Sequence, residues 1–122
     1  MKPTEENVKL FHDFIGYCAK HLGLSGDINI VFQLEKDPSV PSAGQLNPAN
    51  RLIKVCVGNR AIADCMRTCA HELTHLKQLL VDNIEFPDDD AGLQPYEDEA
   101  NVMSGRLVRF FGREHPEIYS DL

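Results

Sequence analysis

Residues 59–81 read NRAIADCMRTCAHELTHLKQLLV, and at the centre of that run stand His71-Glu72-Leu73-Thr74-His75. Ile62, Cys65, Met66, Cys69, Leu73, Leu76 and Leu80 recur at three- and four-residue intervals, which predicts one amphipathic helix from Asn59 to Val81 with a single apolar stripe. Residues four apart in a helix are separated by about 40° around its axis. His71 and His75 therefore leave the same face one turn apart, roughly opposite the stripe, in the company of Arg60, Asp64, Arg67 and Gln78. Two imidazoles so placed can meet one metal ion, and Glu72 then stands beside the open coordination position, where a carboxylate can act as a base.

Two histidines leave such a site incomplete, because a catalytic zinc usually takes three protein ligands and one water. The third ligand is expected downstream, on a segment able to fold back over the helix. The candidate is Pro95-Tyr96-Glu97-Asp98-Glu99-Ala100-Asn101, which opens a second amphipathic helix continuing through Val102, Met103, Leu107, Val108, Phe110 and Phe111. Between the two helices, residues Asp82 to Gln94 hold Pro87, Asp88-Asp89-Asp90 and Gly92, turn-forming residues that predict a loop and a chain reversal. The three aspartates lack the glycine and the terminal glutamate of a hand-type calcium loop, so a solvated acidic loop is the expectation.

HELTHLKQ followed by PYEDEAN resembles the gluzincin metallopeptidases, and is similar above all to small phage and bacterial members such as the ImmA/IrrE type with its E-x-E-A-N segment. The stretch Ser42-Ala43-Gly44-Gln45-Leu46-Asn47-Pro48, then Arg51-Leu52-Ile53-Lys54-Val55, is similar to the hairpin that precedes the zinc helix in such proteins. The resemblance spans roughly residues 27 to 111. It implies a glutamate ligand on the second helix, followed at i+3 by a small residue and at i+4 by Asp or Asn. Glu97 has that register, with Ala100 and Asn101; Glu99 is the alternative, with Val102 at i+3. Asn101 is then expected behind the metal, holding a ligand imidazole by its free N–H.

The rest of the chain predicts a single α+β domain over residues 1–122, a minimal zincin-like unit with an N-terminal helix, a zinc-motif helix, a C-terminal ligand helix and a small, mostly antiparallel sheet. Thr4 caps a first helix to Leu22, with Val8, Phe11, Phe14, Ile15, Cys18 and Leu22 as its stripe. Asp27 to Glu35 alternates as a strand, Lys36 to Pro41 is a loop, and residues 43–46 with Arg51 to Val57 form a hairpin around Asn47-Pro48-Ala49-Asn50. The hairpin's outer strand is either a substrate-pairing edge lining the cleft or a plain protected edge.

A net charge of −7 argues against nucleic acid and anionic membrane as partners, and favours basic or neutral substrates. Met1 to Glu6 is followed by no apolar signal core and no run approaches a membrane span, so the expected address is cytoplasmic, the host-cell cytoplasm for a phage-encoded protein. Cys18, Cys56, Cys65 and Cys69 form no C-x-x-C pair and are expected as reduced thiols.

The leading expectation is a zinc peptidase of narrow specificity, with one Zn(2+) per chain held by His71, His75 and Glu97, Glu72 as general base, and a peptide or protein substrate. Tyr96, His115 and Tyr119 are candidates for holding the transition-state oxyanion. His12 and His21 read as surface residues. The rival expectation is a metallopeptidase-fold binding or regulatory protein, of phage host-interaction or anti-repressor type, with little general proteolysis. An intact Glu72 weighs against the rival, because a purely structural zinc needs ligands and no base.

Overall fold

In the computed structural model, residues 1–120 are described. Helix α1 spans Glu5–Leu22, strand β1 Asn29–Gln33, β2 Gly44–Asn47, β3 Leu52–Cys56, helix α2 Ile62–Leu80 and helix α3 Asp90–Glu114, followed by a 3-10 turn at Pro116–Tyr119. The Thr4 side chain accepts from the Asn7 N–H at 3.2 Å, satisfying one of the free donors at the start of α1. Gly23 ends α1 in the left-handed region at φ 72°, where a side chain would be strained.

Helix α2 is the hub. It contacts α1, α3, β2, β3 and the 3-10 turn, and Ile62, Cys65, Met66, Cys69, Leu73 and Leu76 of its predicted stripe are all buried. They join Phe11, Phe14 and Cys18 of α1, Ile53 and Val55 of β3, and Leu107 and Phe111 of α3 in one apolar core. Leu80 departs from the predicted stripe: at the last turn of α2 it is 45% exposed. All four cysteines are buried free thiols, and burial pushes the Cys18 and Cys69 thiols well above their ordinary range.

The sheet is mixed, correcting the expectation of a mostly antiparallel one. Its order is β1-β3-β2, with β1 parallel to β3 and β2 antiparallel to β3. The hairpin forms as predicted, but the segment leaving β1 crosses to the far edge of β3, so β3 enters between two strands that precede it. Arg51 pins this arrangement by donating to the carbonyls of Asp27, at 2.7 Å, and Ser25 just before β1.

Helix α3 also starts earlier than predicted. Residues 90–94 are helical rather than loop, with Asp89 at the N-cap, Asp90 in the first turn and Pro95 inside the helix. The acidic run thus sits at the positive end of a helix dipole, and Pro95, in the second turn, has no N–H to donate to the Ala91 carbonyl one turn back. Among the described residues, no helix is long and apolar enough to cross a membrane.

Candidate metal centre

Helices α2 and α3 lie against each other with opposite chain sense, and the histidine face of α2 is turned toward the first half of α3. The Glu97 carboxylate reaches both imidazoles: one oxygen is 3.0 Å from His75 Nε2 and the other 3.3 Å from His71 Nε2, and the two Nε2 atoms are 3.1 Å apart. His71, His75 and Glu97 form the group whose ligand atoms lie within 4.8 Å of one another and could hold a metal ion. Glu99 turns elsewhere, one of its oxygens standing 3.6 Å from Lys77 Nζ and 2.9 Å from the Gln78 amide nitrogen.

The protonation pattern shows what the cluster is suited to hold. The Gln78 amide nitrogen donates to the Tyr96 carbonyl at 3.0 Å and to Glu99 at 2.9 Å. Its oxygen therefore faces His75 Nδ1, 2.8 Å away, and accepts the Nδ1 proton. His75 Nε2 then faces Glu97. Asn101 hydrogen-bonds the His71 side chain, and burial together with the neighbouring His75 holds the His71 pKa below its ordinary value despite Glu97. Two imidazole nitrogens and a carboxylate converging in this way form a set of ligand atoms that a cation would satisfy. The 3.0 and 3.3 Å contacts run to different oxygens of Glu97 and, with the 3.1 Å between the imidazoles, lie near the separation of about 3.3 Å between tetrahedral ligands with bonds of 2.0–2.1 Å, so the cluster could hold a metal ion and its ligand types are among those that zinc takes.

Glu72 lies one residue round the helix from His71, on the wall of a cavity of about 650 Å³ that His75, Glu97, Tyr96, Phe86 and strand β2 also line. Its carboxyl pKa is raised, first by burial and further by the charge of Glu97, with His75 opposing. Strand β2 rests directly on this part of α2. A Cβ on Gly44 would stand 2.6 Å from Thr68 Cγ2 and 3.3 Å from Glu72 Cγ, so the approach needs a glycine.

β2 is an outer strand, and its hydrogen-bond phase identifies its free groups. Cys56 donates to the Ala43 carbonyl on the β2 side, and Val57 to that of Gln33 on the β1 side, each at 2.8 Å. Gly44 and Leu46, opposite Val55 and Ile53, therefore turn their backbone groups outward. The Ser42 hydroxyl closes on both groups of Gly44, at 3.1 and 3.0 Å, which leaves the N–H and C=O of Leu46 as the open pair beside the cavity.

Of the three oxyanion candidates, only Tyr96 lines this cavity. His115 stacks on Phe111 with ring centroids 4.2 Å apart, and the Tyr119 hydroxyl donates to the Val108 carbonyl at 3.4 Å; both lie away from the metal cluster. His12 and His21 are exposed. Sequence reading assigned Gln78 only to the polar helix face, whereas it is fully buried and orients His75. Its position three residues beyond His75, on the same helix face, was the available signal. Phe86, whose ring meets those of His75 and Tyr96 edge-on or tilted at 5.7 and 5.6 Å, carried no such signal.

Comparison with protein-family models, with curated proteins and with solved structures gives no match to this chain.

Proposed function

We propose that this chain is a zinc-dependent peptidase of the gluzincin kind, with His71, His75 and Glu97 as ligands and Glu72 as general base. The observation that carries this reading is the convergence of two imidazole nitrogens and the Glu97 carboxylate at 3.0–3.3 Å beside a half-buried glutamate on a cavity wall. Bound there, zinc would acidify a water and polarise a carbonyl. Glu72 takes the proton released as water attacks the scissile carbon, then delivers it to the departing amine. Gln78 and Asn101 hydrogen-bond the two imidazoles from behind and fix their orientation. Leu46 pairs with an extended substrate backbone through its outward N–H and C=O, while Tyr96 is placed to hold developing negative charge.

The reading includes a narrow substrate range, because positioning a chain and excluding water are large parts of catalysis and, among the described residues, the cavity is walled only by α2, α3, the β2–β3 hairpin and Phe86.

Metal analysis tests this reading first. The purified protein is expected to hold one zinc per chain, His75→Ala and Glu97→Ala to lose it, and Glu99→Ala to keep it. Full zinc content in His75→Ala would overturn the assignment. Casein hydrolysis is expected to be slow or absent and sensitive to chelators, and rapid digestion of many unfolded proteins would refute the narrow range while leaving the metal site in place.

A further inference from the structure

Arg67, His71 and His75 follow one another at four-residue intervals along α2, and α3 answers each in turn. His75 meets Glu97 and His71 is hydrogen-bonded to Asn101. Arg67 lies over Gly105, where a Cβ would stand 3.0 Å from its Nη2 atom. A glycine inside a helix costs about 1 kcal/mol relative to alanine. Here it makes room for the guanidinium one turn beyond the metal cluster, about 5.4 Å along the axis.

That turn opens into a second cavity, of about 430 Å³, which shares Glu72 with the first. The two differ in chemistry. Leu46, Leu52, Leu79, Phe86 and Leu93 line the first, whereas Ser42, Arg67, Thr68, His71, Asn101 and Ser104 line the second. All three hydroxyls lining the second cavity are already engaged: Ser42 with Gly44, Thr68 with Arg60 at 2.7 Å, and Ser104 with the Asn101 carbonyl at 2.9 Å. Arg51 and Arg60 are likewise engaged by protein acceptors. Arg67 has no hydrogen bond or ion pair among the described residues. It lines both this cavity and a neighbouring one of about 290 Å³ beside Gly105, and brings to them the planar set of donors that matches a carboxylate with two parallel hydrogen bonds.

We propose that Arg67 reads a carboxylate on the substrate, so that the preferred peptides carry an acidic group within two residues of the scissile bond, on the His71 side of the metal cluster. This rests on the peptidase reading. The reach follows from geometry, since one helical turn is shorter than two residues of extended chain at about 3.3–3.6 Å each. The carboxylate is either an Asp or Glu side chain or a free C-terminus. The preference runs against the net charge of −7. It is local, because charges beyond about 8 Å are screened at physiological ionic strength, while a guanidinium in contact is not.

Binding to the zinc-loaded Glu72→Gln protein, measured by titration calorimetry, separates these claims without requiring turnover. The probes are end-blocked alanine hexapeptides with one central Glu, Gln or Lys, and alanine tripeptides with a free or amidated C-terminus. At least one carboxylate peptide is expected to bind about tenfold more tightly than its neutral counterpart. Adding Arg67→Glu should invert the order in favour of Lys, and Arg67→Lys should keep the original order with a smaller margin. Preference for the blocked Glu peptide assigns the side chain as the source; preference only for the free tripeptide assigns the terminus. Equal affinities, an order unchanged by Arg67→Glu, or no binding of any peptide would overturn the proposal. Wild-type protein that holds zinc and cleaves peptides without charge preference refutes Arg67's role alone. Protein that neither holds zinc nor cleaves refutes the peptidase reading beneath it.

Discussion

On one side of α2, Cys65, Met66, Cys69, Leu73 and Leu76 are fully buried against the rest of the core. On the other side, Arg67, His71 and His75 remain partly or wholly open and are turned toward α3. The first face needs hydrophobes of suitable volume, and similar ones can replace them at modest cost. The second needs particular atoms at particular distances, where a shift of about 1 Å is enough to spoil the chemistry. On the proposed reading one helix carries stability and chemistry on opposite faces, and neighbouring residues in sequence should fail in different ways when altered.

Glu72 and Leu73 give the sharpest contrast. Glu72→Gln is expected to lower turnover by about 10²–10⁴-fold, the usual contribution of a positioned acid–base group, with zinc content and melting temperature unchanged. Peptide-hydrolysis rates measured beside metal analysis and a thermal scan decide it; loss of metal or of fold would make Glu72 structural. For Leu73→Ala the reverse is expected. Removing this fully buried side chain should cost about 2–5 kcal/mol in denaturant unfolding, while the folded fraction still binds zinc. A variant as stable as the parent would erase the distinction between the faces.

Gln78 sharpens the comparison from within, because it is buried yet belongs to the chemical face. Gln78→Ala is expected to weaken zinc affinity by about 10–100-fold, read by competition with a chromogenic chelator. Unchanged affinity would mean that the Gln78–His75 contact does not orient the ligand. The smallest effect is expected far from both faces. Thr4→Ala removes the cap of α1 and should cost about 1 kcal/mol with no change in zinc affinity. A metal defect there would show that the site depends on the whole fold rather than on the α2–α3 pair.

Sequence by itself determined the features set by residues within about one helical turn of each other. These include the two faces of α2, the placing of His71 and His75 with Glu72 between them, the cap and stripe of α1, and the β2–β3 hairpin. Spacing encodes them because helix and hairpin geometry are local. Tertiary structure alone decided the β1-β3-β2 order, since strand pairing depends on partners twenty or more residues apart. It also decided that α3 begins at Asp90 and that Leu80, Val102 and Phe110 lie exposed, and it brings to the histidines Glu97, the glutamate that the resemblance favoured over Glu99. Glu97 and Glu99 are only two residues apart, and both fall in a segment that reads as helix. Which one meets the imidazoles depends on how α3 is rotated against α2, and that rotation is set by burying Ala100, Ser104, Leu107 and Phe111, not by the glutamates themselves.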